Sequence, residues 1–459
     1  MNINQAYKFK LKTNTELEAE INGYVGCSRF VWNKALALIK ARLENQNIEK
    51  IVYKNLTIST RYKTREYLPN YNELAAILTF WKKTDEYSFL RKAPSQVLQQ
   101  TLKDLTDAIA DAFVPGNGVK FPRFKKKGSS ETGIRFPQGF KLDGNRVFLP
   151  KIGWIRFFKS RDIAGTPKNI TVKKYADGYY ISVVTEQPCK KGEWSDVTNT
   201  HGLNPVGIDA GVKKIITLSN GSYFKPLDLS KADKKIVKEQ RKLDRKQHSR
   251  KKGCKTKKSK NYIKQNEKVA LAHKNKVDTR YDYLHKVSAA IAKNHGFVAV
   301  ENLNVSNMTR TAKGTVENPG RNVKAKSGLN RSILAQSWSM LYDMLEYKIL
   351  FNGGRFVKIN PAGTSQECLA CRRRHKDNRK TQDSFSCISC GFSANADLVG
   401  SANVLRRALP DYNFEIPQGL REFTPVEYSY SFENGNEADK AICRRQQEPS
   451  NAVRRRSLL

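Results

Sequence analysis

The sequence predicts a multidomain α+β protein, and three observations predict it. Runs that alternate apolar and polar residues occur at the N-terminus and again between 115 and 190, with a long stretch of helical spacing between them. Two short β-branched runs, Val206-Gly-Ile-Asp209 and Phe297-Val-Ala-Val-Glu301, have the pattern of central strands covered on both faces, and each closes on an acid. Cys368-x-x-Cys371 and Cys387-x-x-Cys390, with fifteen residues between the pairs, have the spacing of a metal-binding ribbon. At 459 residues the chain can hold two or three domains with sizeable cores.

Charge narrows the function. Lys and Arg number 83 against 43 Asp and Glu, a formal +40. A charge that large opposes compaction unless a polyanion screens it, so nucleic acid is the expected partner, ahead of a membrane surface. No apolar run approaches the roughly 20 residues of a membrane span, and Met-Asn-Ile-Asn-Gln-Ala-Tyr lacks the apolar stretch of a signal peptide. The expectation is a cytoplasmic, nucleoid-associated protein. Cys27, Cys189, Cys254 and Cys443 are scattered, which suits a reducing compartment.

In chain order, Ala6-Tyr-Lys-Phe-Lys-Leu-Lys12 predicts a strand with one wet cationic face. Thr15 to Glu18 reads as a capping box, followed by Leu17, Ile21, Tyr24 and Val25 at helical spacing. Phe30 and Trp32 are expected in the helix core rather than as base-stacking platforms. Helical character continues to 114, with one segment over Glu73 to Lys83. Pro94-Ser-Gln-Val-Leu-Gln-Gln100 opens another, whose apolar face is Leu98, Leu102, Leu105, Ile109 and Ala112. Ser95, Gln96, Gln99 and Gln100 are either nucleic-acid backbone contacts or the polar face of a capped helix.

Val119-Lys-Phe-Pro-Arg-Phe-Lys-Lys-Lys127 interleaves aromatic and basic residues, as a loop does that grips phosphates while stacking on bases. It nominates Lys120, Arg123, Phe124, Lys125, Lys126 and Lys127. Strands over 141–149, 152–158 and 169–186, the last turning at Asp177-Gly178, would close a small barrel with the first strand. Residues 187–203 read as a linker.

Beyond it, Val206 to Leu218 with Asn220-Gly221 predicts a hairpin. Lys231 to Lys260 carries 15 Lys and Arg against three acids, a helical composition suited to an RNA or DNA contact. A helix over Lys264 to Lys293 leads into the Glu301 strand. Met308 to Arg331 reads as a mobile loop, Ile333 to Phe351 as a helix and Gly354 to Ile359 as a strand. From about Leu420 the composition is that of a disordered tail.

The acids carry the chemistry. A carboxylate closing a buried strand costs several kcal/mol unless paired, and a divalent cation removes that cost by taking the charge as a ligand. Asp209, Glu301 and Asp397 converging on one point would hold two Mg²⁺ ions. Cys368, Cys371, Cys387 and Cys390 fit one structural, closed tetrahedral Zn²⁺ site. His375 is a competing zinc ligand or an exposed loop residue.

The order of Asp209, Glu301 and Asp397, with a zinc ribbon just before the last, resembles the TnpB family of transposon-encoded, RNA-guided DNA endonucleases, relatives of the miniature type V CRISPR effectors. Cys27-Ser-Arg-Phe-Val-Trp-Asn-Lys-Ala35, Pro94 to Gln100 and Val119 to Lys127 are similar to that family too. The resemblance implies a wedge-like β-barrel over 1–13 and 115–190 and a helical recognition lobe over 14–114. It further implies a RuvC-like RNase H-fold nuclease domain over 204–361 and 396–420, a zinc ribbon over 362–395 and a tail over 421–459. Its partners would be guide RNA and double-stranded target DNA with a short flanking motif, with no membrane. Asp209 would bridge two Mg²⁺ ions that Glu301 and Asp397 hold singly, and the segment after Glu301 would act as a lid.

Two departures from the family pattern stand out. Arg372-Arg-Arg374 replaces the usual glycine after the second cysteine, implying a strained turn and a +3 patch. Asp397, Gly400, Ser401 and Asn403 match the helix that follows, while Val399 replaces an Asn and puts the hydrogen bonding of the helix start in question. Competing readings are a miniature type V CRISPR effector, a guide-dependent DNA-binding regulator that does not cleave, and a DDE-type transposase, whose layout lacks the ribbon.

Overall fold

A computed structural model describes residues 2–45, 68–116, 118–127, 133–188, 194–196, 199–200, 202–247, 259–410 and 426–427. The expectations for the 421–459 tail, apart from 426–427, and for the basic stretch 248–258 lie outside the described residues. The chain divides into two compact units, Met1–Cys189 and Lys190–Leu459.

The first unit opens with β1 (Asn2–Leu11), whose Tyr7, Phe9 and Leu11 point inward while Lys8, Lys10 and Lys12 keep to the solvent side. Helix α1 (Thr15–Asn45) follows. Its capping residue is Asn14 and not Thr15. The Asn14 Oδ1 accepts the Leu17 N–H at 2.9 Å, and Thr13 Oγ1 donates to Glu18 at 2.8 Å. Helices α2 (Tyr71–Lys83) and α3 (Ser95–Phe113) flank a 3₁₀ turn over Asp85–Lys92. Then come β2 (Gly133–Phe136), β3 (Lys141–Asp143), β4 (Arg146–Leu149), β5 (Gly153–Phe158), β6 (Thr166–Tyr175) and β7 (Gly178–Pro188).

These strands form one antiparallel sheet in the order β2-β6-β7-β1-β5-β4-β3. Among the described residues the sheet is a half-barrel that does not close, where a closed barrel was expected. Its outermost strands, β2 and β3, are four and three residues long, and they do not pair with each other. Helices and sheet share one hydrophobic core, from Phe9 and Phe157 through Leu36 to Leu98 and Leu105.

The second unit is built on a six-stranded sheet. Its strands are β8 (Val206–Ala210), β9 (Ile216–Leu218), β10 (Ser222–Phe224), β11 (Phe297–Glu301), β12 (Arg355–Ile359) and β15 (Val426–Glu427), in the order β12-β11-β8-β9-β10-β15. β11 runs parallel to β8 and β12, whereas β9 is antiparallel to β8. Helices α4 (Ser230–Gln247) and α5 (Lys260–Asn294) pair with each other. They are followed by a short α6 (Val305–Met308), α7 (Val323–Gln336) and α8 (Trp338–Phe351).

Here the expected loop over 308–331 and single helix over 333–351 are corrected. A helix already begins at Val323 and breaks at Ser337, whose φ of +57° is left-handed. Gly328 and Asn330 inside α7 hide its periodicity in sequence. Apolar residues of α5, α7 and α8, among them Leu284, Val287, Ile333, Leu341 and Leu345, cover one face of the sheet. Hairpin β13 (Ser384–Ser386) and β14 (Ser393–Asn395) leads directly into α9 (Ala396–Ala408), whose Val404 and Leu405 pack with Phe297, Ala299 and Ile359. Both faces of the central strands are thus covered, and β11 is buried at all five positions. Among the described residues no helix is long and apolar enough to cross a membrane.

Candidate active site and metal centre

The three acids arrive on three elements. Asp209 lies near the end of β8, Glu301 ends β11 beside it, and Asp397 stands in the first turn of α9. Two glycines allow α9 to approach β8. A Cβ on Gly207 would fall 2.1 Å from the Ser401 carbonyl oxygen, and one on Gly400 would fall 3.0 Å from Asp209 Oδ2. The small residues in Gly400-Ser401 therefore bring the start of α9 against the Asp209 carboxylate.

Glu301 is buried, with 7% of its surface exposed, and Thr364 Oγ1 donates to its Oε1 at 2.5 Å. Thr364 is itself held, because Asn403 Nδ2 donates to the carbonyl oxygens of Thr364 and Glu367 at 2.8 and 2.7 Å. Asn403 of α9 thereby fixes the turn that orients Glu301 of β11. Asp397 faces two cations, Lys214 Nζ and an Arg379 guanidinium nitrogen, each 3.6 Å from a carboxylate oxygen. Val399, whose place in the family pattern was in question, is fully buried, and the helix start does not depend on it. Asn395 Oδ1 caps α9 by accepting the N–H groups of Asp397 and Leu398 at 3.1 and 3.3 Å.

Electrostatics ties the acids together. Asp209 keeps some accessible surface but is densely enclosed, and its carboxyl is held well above the ordinary carboxylate value. Desolvation is the first cause, and the charges of Glu301 and then Asp397 add to it. Glu301 is raised by burial, against the lowering influence of Thr364, Arg407 and Arg379. Desolvated carboxylates that raise one another in this way are the condition a divalent cation relieves.

The cysteines form the second centre. The Sγ atoms of Cys368 and Cys390 are 3.6 Å apart, those of Cys371 and Cys387 are 3.5 Å apart, and all four lie within 4.8 Å. Each of these contacts joins one Cys-x-x-Cys knuckle to the other, and the two knuckles are built alike. Arg372 N–H donates to Cys368 O as Gly391 N–H donates to Cys387 O, at 3.1 and 3.0 Å. The residues that follow the second cysteine of each knuckle share a left-handed backbone, with φ +61° at Arg372 and +72° at Gly391. The turn at Arg372 is thus the strained one that its missing glycine predicts. His375 is exposed, accepts the Asp377 N–H and is not one of the four clustered ligands.

The nominated nucleic-acid contacts lie in the first unit. Lys120, Arg123, Phe124, Lys126 and Lys127 are exposed on an extended segment strapped to α1. Trp32 Nε1 donates to Arg123 O, and Asn33 pairs with both backbone groups of Lys125, at 2.8 and 3.0 Å. Lys125 Nζ is 3.5 Å from the buried Trp32 ring, so this lysine serves packing as well as charge. Gln99 is exposed, Gln96 is half-buried, and Gln100 donates to Asp104 at 2.8 Å.

Sequence reasoning missed Lys214, Thr364, Arg379 and Arg407 around the acids. Their roles arise from tertiary contacts between segments far apart in the chain, and no local pattern marks them.

The sequence matches three family models: one described as a probable transposase over residues 182–312, a Cas12f1-like TNB domain over 338–404 and a helix-turn-helix domain over 1–47. Over those last residues the chain forms a strand and one long helix. It is 42% identical over 405 residues to InsQ of Escherichia coli (strain K12), provisionally named an RNA-guided DNA endonuclease, covering 87% of this chain and 91% of InsQ. A protein of Streptomyces pristinaespiralis with the same provisional name is 27% identical over 414 residues, covering 89% and 90%. Among solved structures, that of a Cas12f1–sgRNA–target DNA complex covers 88% of this chain and 98% of its own at 14% identity, with a TM-score of 0.44. On its likeness to InsQ across nine-tenths of that protein, with the acids and the cysteine ribbon in their expected order, the chain belongs to the TnpB family.

Proposed function

We propose that the chain is an RNA-guided DNA endonuclease of a transposable element, cutting DNA beside a short flanking motif by phosphodiester hydrolysis at a RuvC-like carboxylate site. The observation that carries this reading is the placing of Asp209, Glu301 and Asp397 at the junction of β8, β11 and α9, where Gly400 lets α9 close on the Asp209 carboxylate and Asn403 of α9 holds the Thr364 that binds Glu301. The strand order of the second sheet supports it. With β8 as strand one, β8 to β12 stand in the order 3-2-1-4-5 with the second strand antiparallel, as in RNase H folds.

Mg²⁺ bound there would lower the pKa of a water and stabilise the leaving 3′ oxygen. Asp209, Glu301 and Asp397 would hold the ions. Thr364, held by Asn403, orients Glu301 for that task. Lys214 and Arg379 balance Asp397 before cations enter. The four cysteines would hold one Zn²⁺ as a closed structural site that folds the ribbon leading into α9. Guide RNA would supply sequence by base pairing, while the protein reads the flanking motif.

The test is to express the chain with its native flanking DNA, purify it and sequence the RNA that accompanies it. A discrete RNA that runs past the element boundary is expected, and heterogeneous fragments would overturn the guided reading. Asp209→Ala should abolish cutting and keep RNA binding. Loss of both together would count against separate guide and cleavage sites.

A further inference from the structure

Two cations stand against Asp397, and they are not held alike. Arg379 Nη2 lies 3.6 Å from Oδ1 and is tethered, since it also donates to Gln382 O at 2.8 Å. Lys214 Nζ lies 3.6 Å from Oδ2, a distance at which charge acts and a hydrogen bond does not. The same ammonium stands over the Tyr223 ring at 4.9 Å, an attraction to the aromatic face. Among the described residues, neither contact uses one of its three N–H donors.

A tight turn brings Lys214 to that place. It belongs to the connection between β8 and β9, where Gly211 N–H donates to Ile215 O at 3.3 Å. A Cβ on Gly211 would fall 2.9 Å from Lys214 O, so the turn closes this way only with glycine. Trp338 Nε1 holds the next residue, donating to Ile215 O at 3.1 Å. The preceding side chain goes elsewhere, Lys213 Nζ pairing with Asp383 at 2.9 Å. Sheet register then sets the face. Tyr223 stands opposite Thr217, and Thr217 opposite Asp209. Residues directly opposite share a face of the sheet, so the ring beside the ammonium lies on the face of the Asp209 carboxylate.

We propose that Lys214 is the phosphate-binding residue of the carboxylate site. It balances Asp397 while the site is free of cations. With Asp397 occupied by a divalent cation, its ammonium turns to a non-bridging oxygen of the scissile DNA phosphate. The inference rests on the endonuclease reading given above. Lysine suits the task, as a compact point charge on a flexible four-carbon stem that serves both oxygens from one backbone position. Arg379, tied to Gln382, is the less free of the two cations.

The experiment compares the full-length protein with its co-purified RNA as parent, Lys214→Met, Lys214→Arg and Asp397→Asn. Thermal melting across a Mg²⁺ series reports cation binding without chemistry, and single-turnover cleavage of a bound DNA target at saturating Mg²⁺ reports the reaction. Lys214→Met keeps the apolar stem and loses the charge. Mg²⁺ then no longer competes with an ammonium for Asp397, so the half-saturating concentration in melting should fall about two- to fivefold, the scale of a partly exposed ion pair. Cleavage at saturation should nevertheless slow about 100-fold, as when one donor to a transition-state oxygen is removed. Lys214→Arg should bring both values back toward the parent.

The opposite signs are the signature, because damage to the turn would weaken cation binding and cleavage together. A Lys214→Met protein that needs as much Mg²⁺ as the parent or more, or that cuts at the parent's rate once saturated, would overturn the proposal. So would a Lys214→Arg protein as slow as Lys214→Met. Asp397→Asn separates the two levels of the argument. If it loses the Mg²⁺ increment in melting while Lys214→Met behaves as the parent, the carboxylate site stands and the role of Lys214 falls. If Asp397→Asn keeps both the increment and the cutting, the carboxylate-site reading fails, and the role of Lys214 fails with it.

Discussion

Asp209 is raised by desolvation and by two neighbouring acids, so in the cation-free protein its charge is a liability. The sign follows from linkage. A carboxyl whose folded pKa exceeds its unfolded value binds its proton more tightly when folded, so its contribution to stability is complete below the unfolded pKa and is lost as pH rises through the folded one. Asp209→Asn removes that titration. In chelator the parent and the variant should melt alike near pH 4, the ordinary aspartate range, and the variant should melt higher at neutral pH. Added Mg²⁺ should restore the parent and not the variant. A constant difference at every pH would mean that Asp209 keeps an ordinary pKa and that the acids are not coupled. The geometry around this residue is tight for the same reason. The absent side chain at Gly400 leaves the carboxylate its place, since a Cβ there would press within 3.2 Å of Asp209 Cγ.

At the scale of the element, the ribbon and α9 act as one piece. Val399 and Ala402 of α9 share a core with Cys368, Phe385 and Cys387, and Asn395 is at once the last residue of β14 and the cap of α9. The ribbon thus fixes the turn of helix that carries Asp397. Its weak point is Arg372, which holds the left-handed backbone that Gly391 adopts freely in the other knuckle. Arg372→Gly should therefore stabilise the protein by about 1 kcal/mol, the usual cost of that conformation for a residue with a Cβ. Chemical denaturation and the rate of zinc loss to a chelator check this, and a loss of stability would mean that the arginine side chain matters more than its backbone. The knuckles and both apolar strands were legible in sequence because each is a local pattern. The break at Ser337 and the cap at Asn14 were not, since serine and asparagine tolerate several conformations and only packing selects one. The link from Asn403 through Thr364 to Glu301 spans 103 residues of chain and leaves no local trace.

The whole molecule carries +40, and that surplus sets how it meets nucleic acid at all. Each phosphate neutralised releases condensed counterions, so affinity for a single strand falls with salt at a slope of about 0.7 per contact. The extended segment 118–127 separates lysines that hold the fold from lysines that hold a polyanion. Lys125 stacks on Trp32 and is tied at its backbone to Asn33, whereas Lys120, Lys126 and Lys127 project into solvent beside Phe124, which is 48% exposed. Replacing those three lysines with glutamine should leave melting unchanged and lower the slope of log affinity against log salt by about 2, the sum of three contacts. Fluorescence anisotropy of the protein with single-stranded RNA across a salt series measures it. An unchanged slope would place the contacts elsewhere and leave these lysines as a solvated face. A lower slope with unchanged melting would show that the segment grips phosphate, with α1 as its rigid backing and Phe124 as its stacking ring.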